Sequence, residues 1–311
     1  MLVGSFFAAR VGAEPYYFHM PAQILDGKLV SQSLKESLAQ RVALLQEKGI
    51  VPRIEVVVAA QDPASVAYVR MKRKMAEAIG MISGAWEVSA ATSQTELLAK
   101  IAELNANSAV HGVLVQHPLP NHLDEDAALA ALGAEKDVDG ITPQSLGLLV
   151  AGQRGFRSAT PLGMMKLLDH YGLDVTGKHA VVIGRSVILG KPAALMLLER
   201  NATVTIAHSK TRDLPDLVRQ ADALVAAVGR PELVQGDWIK TGAIVLDAGY
   251  NKVEGRTHDV GDCDFDGCAQ YASWITPVPG GVGPMTIISL LANCVQAAEA
   301  TMDGKSPVHS R

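Results

Sequence analysis

The sequence predicts an α/β protein built from two α/β domains, the second a Rossmann-like nucleotide-binding domain, with an active-site cleft between them. Three observations carry this expectation. Short β-branched runs alternate with amphipathic helical stretches, the pattern of parallel sheets covered by helices. A strand, a glycine turn and a helix follow one another in VVIGRSVILGKP (181–192). The length of 311 residues suits two domains at about 150 residues each. Residues 20–158 with 288–311 are assigned to the first domain and 159–287 to the second.

The first nineteen residues, MLVGSFFAARVGAEPYYFH, carry no basic residue before their apolar stretch, and Arg10 interrupts it. They read as a disordered extension rather than a signal peptide, with Met20 as a natural start. In LKESLAQRVALLQEKG (34–49), Leu34, Leu38, Val42 and Leu45 recur at helical spacing and Gly49 is the stop. IEVVVAA (54–60) is a buried-strand run, and a helix is expected from Ser65 to Ile79 before Gly80. GAWEVS (84–89) reads as a strand; SQTELLAKIAELNAN (93–107) opens with a Ser-x-x-Glu capping box. VHGVLVQ (110–116) is a further strand that breaks at HPLP (117–120).

The second unit opens with the helix TPLGMMKLLDHYG (160–172), with Pro161 at its start. HAVVIG (179–184), TVTIAH (203–208), ADALVAAVG (221–229) and GAIVLDAG (242–249) read as strands, with a helix at 189–201. The last helix, from Pro284 to Ala300, follows a glycine-rich loop and is expected to pack back on the first domain.

Composition narrows the function. There are 28 Lys+Arg against 32 Asp+Glu, a net charge of −4, and no basic block, which argues against nucleic-acid binding or a polybasic membrane contact. No uncharged apolar run reaches the ~18 residues of a membrane helix. Cys263, Cys268 and Cys294 form no regular spacing, so neither a zinc site nor a disulfide framework is expected. The reading is a cytoplasmic enzyme or binding protein without a metal.

Five segments carry chemistry. The turn at 184–190 could hold a dinucleotide phosphate on backbone amides, although Gly-Arg-Ser-x-x-x-Gly also fits an ordinary strand-to-helix turn. The next strand ends in His208-Ser209-Lys210-Thr211-Arg212, with no carboxylate until Asp213. An acidic residue there would accept from a ribose hydroxyl and repel a 2′-phosphate, so this ending, with Arg185 in the turn, favours NADP over NAD. Tyr68 and Lys72 lie four apart on one helix face, while Arg70, Arg73 and Lys74 read as surface residues. On spacing alone, a solvated surface residue is a stronger reading of Lys72 than a reactive one. KDVDG (136–140) offers Asp137 and Asp139 in a turn, and PVPGGVGPMT (277–286) offers a stiff backbone that a ligand can approach closely.

Together these segments resemble one family, the bifunctional methylenetetrahydrofolate dehydrogenase/methenyltetrahydrofolate cyclohydrolases. The resemblance runs from ILDGK at Ile24 to about residue 300. It includes PASVAYVRMKRK, GVLVQHPLP, KDVDG, ATPLG, VVIGRSVILGKP, ATVTIAHSKT, GDWIKTGAIVLDAG and ITPVPGGVGPMT. It implies that Tyr68 stacks on the folate, Lys72 is the central catalytic group, Gln116 supports it, and Asp139 hydrogen-bonds the pterin. Gly184, Arg185, Ser186 and Ser209 would bind NADP, and Tyr250 would border its nicotinamide. Pro279, Gly280, Gly281, Val282 and Gly283 would line the cleft. A homodimer through the nucleotide domain is implied as well.

Many members carry VQLPLP where this chain has His117, cysteine where it has Ala159, and Ile or Val where it has Tyr250. His117 reads as a neutral, hydrogen-bonded residue before a proline turn. A free lysine is too basic to serve near neutrality, so Lys72 is expected to be shifted down by burial or by a cationic intermediate. Other readings are a monofunctional NADP-dependent dehydrogenase, a dehydrogenase of another small substrate, and a non-catalytic folate or NADP sensor on the same scaffold.

Overall fold

The computed structural model describes residues 22–61 and 63–308; the extension expected at 1–19, and Met20, lie outside them. The described chain opens with a two-residue strand, β1 (Gln23–Ile24), and a long helix, α1 (Gly27–Glu47). Asp26 caps α1 by accepting from the Leu29 amide at 3.0 Å, so the helix starts a full two turns before the apolar periodicity does. There follow β2 (Arg53–Ala59), α2 (Pro63–Ala78), β3 (Ile82–Val88), α3 (Gln94–Ala106), β4 (Gly112–Val115), α4 (Glu125–Ala131) and α5 (Pro143–Val150). The Ser93/Glu96 capping box forms reciprocally at the start of α3. Residues β2, β3 and β4 make a parallel three-stranded sheet in the order β3-β2-β4. All but the first residue of β2 are buried, as a central strand covered on both faces requires.

The second half contains α6 (Ala159–His170), β5 (His179–Ile183), α7 (Gly190–Glu199), β6 (Thr203–Ala207), α8 (Leu214–Val218) and β7 (Ala223–Ala226). It continues through β8 (Ile244–Asp247), α9 (Phe265–Ala269), β9 (Trp274–Ile275) and α10 (Val282–Met302). Its parallel sheet has six strands in the order β1-β9-β8-β7-β5-β6. The chain reverses direction across the sheet between β5 and β7, the position where such sheets ordinarily take ligands at the strands' carboxyl ends.

Two findings depart from the sequence reading. Residues 22–25, assigned to the first unit, pair with β9 as the outermost strand of the second sheet (Gln23↔Trp274, Ile24↔Ile275). Both β1 and β9 are only two residues long, too short for any alternation to show. The last helix also starts at Val282 rather than Pro284, because a proline fits the first turn where its missing N–H is not needed.

α6 and α10 form a spine between the two units. Ala159 and Leu167 of α6 enter the core with Val56, Leu114 and Ile288, whereas Met164, Met165 and Leu168 face the core of the six-stranded sheet. The helices cross closely at Gly163, where a Cβ would stand 2.8 Å from that of Met285. α10 is long and apolar enough to cross a membrane by composition alone, but most of it is buried in this core.

The spine also fixes the turn at 136–140. Buried Asn293 of α10 donates to Val138 O at 2.8 Å and to Arg157 O at 3.0 Å. Replacing it by leucine would leave two buried carbonyls unpaired, at roughly 1–3 kcal/mol each. We expect Asn293→Leu to lower the unfolding free energy by about 2 kcal/mol in urea titration, and Asn293→Ala to do so by at least as much.

Candidate active site

The site begins with the four-residue spacing on α2. That spacing stacks Lys72 over Tyr68, with Nζ 4.4 Å from the ring centroid. Lys72 is only 6 % exposed, whereas Arg70, Arg73 and Lys74 on the same helix are exposed. The helix face that turns inward therefore takes Lys72 out of the surface-lysine reading. Burial lowers the Lys72 ammonium from 10.5 to about 8, and the carboxyl of Asp139 opposes that shift without cancelling it. The Tyr68 phenol is pushed up, first by burial and then by the field of Asp139, with the Thr286 hydroxyl pulling the other way. Thr286 in turn bonds Thr160 at 3.0 Å, tying the α6–α10 spine to the aromatic wall.

Gln116 is the first residue past β4, at the carboxyl end of the small sheet. Its amide oxygen accepts from Lys72 Nζ at 2.9 Å, and its Nε2 donates to His117 O at 3.0 Å. The two bonds fix which way the amide points. Asp139 arrives from the 136–140 turn, which runs beside β4 through the Val113↔Asp137 bridge.

The two aspartates of that turn do different work. Asp137 is fully buried and accepts from the amides of Gly140 at 2.9 Å and Thr142 at 2.8 Å. It holds the turn shut. Asp139 is less completely buried than Asp137, and its carboxyl is held above the usual carboxylate range. Desolvation is the main cause and Asp137 adds to it, while Lys72 and His117 oppose it. Gly140 takes φ +67°, and a Cβ there would stand 2.5 Å from Arg157 C, so no larger residue fits.

In the second unit, β5 is followed by Gly184 with φ +134°, where a Cβ would meet Ala227 O at 2.3 Å. This close approach at the β5/β7 crossover leaves the turn 185–188 exposed. A dinucleotide phosphate fits such an amide-lined turn. Arg185, Ser186, Ser209 and Lys210 are exposed on the same rim, and none of them would repel a 2′-phosphate. The first carboxylate, Asp213, comes six residues after the last residue of β6.

The loop 277–283 packs against the start of α1. Lys28 donates its amide to Gly280 O at 3.0 Å, and a Cβ on Gly27 would collide with Gly281 O. Pro279 and Gly283 are exposed, Gly280 and Gly281 are buried, and the Val282 side chain packs in the core of the larger sheet. Tyr250 is 64 % exposed, with its hydroxyl against Asp259; no contact joins it to the Lys72 group.

Sequence reasoning passed over Asp247 and Asp262, which organise this rim. Asp247, buried at the end of β8, accepts from the amides of Gly249, Asp262 and Cys263 at 2.8, 3.0 and 2.9 Å. Burial nevertheless pushes it up to about 6. Asp262 accepts from the amides of Val228, Gly229 and Arg230 and from Asn251 Nδ2. The signal was present in IVLDAG, an acidic residue ending an otherwise apolar strand. A cavity of about 280 Å³ lined by Lys178, Asp222, Lys240 and Trp274 lies at the amino ends of these strands, away from the site.

The buried amine sets a pH dependence. The unfolded chain holds the Lys72 proton more tightly than the folded one, so burial costs stability fully below about pH 8 and the cost fades toward 10.5. Lys72→Met is expected to gain about 3 kcal/mol at pH 7. Urea titrations at pH 7 and 9.5 check this: the gain over wild type should shrink at the higher pH.

Comparison with known proteins gives the family of the chain. The profile of the tetrahydrofolate dehydrogenase/cyclohydrolase catalytic domain matches residues 25–139, and that of the family's NAD(P)-binding domain matches 158–302. The chain is 53% identical over 279 residues to the bifunctional protein FolD of Moorella thermoacetica, covering 90% of this chain and 99% of that one. It is similar to the crystal structure of the FolD methylenetetrahydrofolate dehydrogenase/cyclohydrolase of Campylobacter jejuni, with TM-score 0.88 and 45% identity over 90% of this chain and 99% of that one. It is also similar to the Trypanosoma brucei enzyme complexed with NADP cofactor and inhibitor, with TM-score 0.87 and 38% identity over 91% and 99%. The chain belongs to the bifunctional tetrahydrofolate dehydrogenase/cyclohydrolase family.

Proposed function

We propose that Lys72, Tyr68, Gln116 and Asp139 form the working face of a folate-converting site, at a cleft between the two α/β units. The chain is an NADP-dependent enzyme that oxidises 5,10-methylenetetrahydrofolate to the 5,10-methenyl form and hydrolyses that product to 10-formyltetrahydrofolate. The observation that carries the residue assignment is a lysine amine, buried and lowered to about 8, held by one amide oxygen over an aromatic ring.

In the first reaction the bridging methylene carbon gives up a hydride, and its two flanking nitrogens stabilise the resulting cation. NADP supplies the hydride acceptor when bound. The protein's task is alignment: Tyr68 offers a flat face to the pterin, Asp139 a hydrogen-bonding carboxyl, and the 279–283 backbone a floor without bulky side chains. Gly184, Arg185, Ser186 and Ser209 would hold the dinucleotide, with Arg185 and Ser209 toward the 2′-phosphate. Tyr250 would border the nicotinamide from its exposed position.

In the second reaction water adds to the methenyl carbon, a C–N bond opens, and a proton leaves. An amine near pH 8 is partly neutral under working conditions, so Lys72 can take that proton and return one to the departing nitrogen. Gln116 aims the amine. The intact Lys72–Gln116–Asp139 set supports the bifunctional reading over a sensor or a monofunctional dehydrogenase.

The test is to follow absorbance with methylenetetrahydrofolate and NADP⁺ or NAD⁺, and separately with methenyltetrahydrofolate. Lys72→Met is expected to lower methenyl hydrolysis by about 100-fold or more while NADP binding persists. Hydrolysis at the wild-type rate would remove the role given to Lys72.

The proposal includes a homodimer through the nucleotide unit. Among the described residues β6 pairs only with β5, so its outer edge carries no strand there, and Ile206 on it is 43 % exposed. An open apolar edge is a template for a second copy. Light scattering should find a dimer, and Ile206→Lys should shift it toward monomer.

A further inference from the structure

The larger sheet has a second opening, at the end opposite the nucleotide rim. Lys178 precedes β5, Asp222 precedes β7, the turn 240–243 precedes β8 and Ser273 precedes β9. Together they enclose a cavity of about 280 Å³, walled by Trp274 and Leu173. Strands of four or five residues put about 13–17 Å between this end and the rim. Neither of the two reactions above uses it.

The cavity is held open by its own bonds. Asp222 accepts from Lys240 Nζ at 2.6 Å and from the His179 amide at 2.9 Å, so each of its oxygens has a partner. Asp174 accepts from the Thr176 amide at 2.9 Å. The turn 240–243 is pinned by the Gly242 amide on Tyr271 O and by Ser273 Oγ on Gly242 O, both at 2.8 Å. Behind Trp274 stands Tyr171, with ring centroids 5.1 Å apart, and the Tyr171 hydroxyl accepts from the Asp26 amide at 3.1 Å. A wall braced in this way is formed before a ligand arrives.

What remains is a set of donors. Lys178 Nζ makes no hydrogen bond or ion pair among the described residues, and reaches Asp174 and Asp222 through its field alone. The Thr241 hydroxyl and the Trp274 indole N–H are likewise without an acceptor there. Donors in excess of acceptors suit an anion, and a half-buried indole beside Leu173 suits a flat apolar body. A bare inorganic anion would leave the indole uncovered, and a neutral ring would leave the ammonium unpaired. With Lys240 already neutralised by Asp222, one remaining ammonium matches a single carboxylate better than a phosphate dianion. We infer that this cavity is a binding site, separate from the catalytic one, for a small planar aromatic carboxylate. The ring lies against Trp274, and the carboxylate accepts from Lys178 and Thr241.

The test titrates benzoate into the full chain, with NADP present, and follows binding by calorimetry. Benzamide keeps the ring without the charge, and cyclohexanecarboxylate keeps the charge without the flat ring. Benzoate is expected to fill one site per chain with a dissociation constant at or below about 1 mM. Both analogues should bind at least about 10-fold more weakly. Lys178→Gln should weaken benzoate by about 10-fold or more, and Thr241→Val by less, while Lys72→Met leaves its affinity unchanged. Neither Lys178 nor Thr241 is fully buried, and methenyltetrahydrofolate hydrolysis at the wild-type rate shows that both variants are folded.

Benzoate affinity equal to wild type in Lys178→Gln would overturn the inference. So would affinity lost in Lys72→Met, which would put the probe in the catalytic site, and so would benzamide binding as tightly as benzoate. Absence of saturable binding up to about 10 mM benzoate would overturn it as well.

Discussion

The burial of one amine is the constraint on which the rest of the site depends. Taking an ammonium out of water is costly unless the protein supplies partners. Here the partners are few: an amide oxygen from Gln116, the face of Tyr68 and the field of Asp139. They are sufficient to keep Lys72 in place and insufficient to keep it as basic as a surface lysine. A tighter ion pair would hold the proton too firmly for transfer near neutrality; no partner at all would turn the side chain out to solvent.

Each of those partners is held by something further from the chemistry. Gln116 is oriented by the carbonyl of His117, and the loop beyond it is pinned by Glu125. Asp139 is presented by a turn that Asp137 closes from inside and Asn293 anchors to α10. Tyr68 leans toward Thr286 on that same helix. α10 therefore serves both as the core of the first unit and as the ruler that sets Tyr68 and the 136–140 turn against the larger sheet. The nucleotide rim follows the same logic, with two buried carboxylates collecting loop amides. Rigid turns keep the rim ready without side-chain rearrangement on binding.

The parts of the fold visible in the sequence were those governed by local periodicity. β2, β5, α3 and its capping box were legible because buried parallel strands are apolar throughout and helix caps use a small residue vocabulary. The two-residue strands β1 and β9 were not, since two residues carry no period. α4, α5, α8 and α9 were missed for a related reason: helices of five to eight residues are recognised mainly by their caps. The early start of α1 lay in Asp26, a cap placed before any apolar stripe.

The site divides along the same line. Residue types and order determined the family, the reaction class and the preference of the nucleotide rim for an unrepelled 2′-phosphate, because these depend on which groups the chain carries and on strand-end positions. Spacing also put Tyr68 and Lys72 on one helix face. Only the tertiary structure decided that this face turns inward, that Asp137 closes the turn while Asp139 keeps its carboxyl free of that task, and that His117 ends with one nitrogen on Glu125 and the other sealed in the interior. Burial and long-range pairing set a side chain's charge, and neither is encoded within the few residues around it.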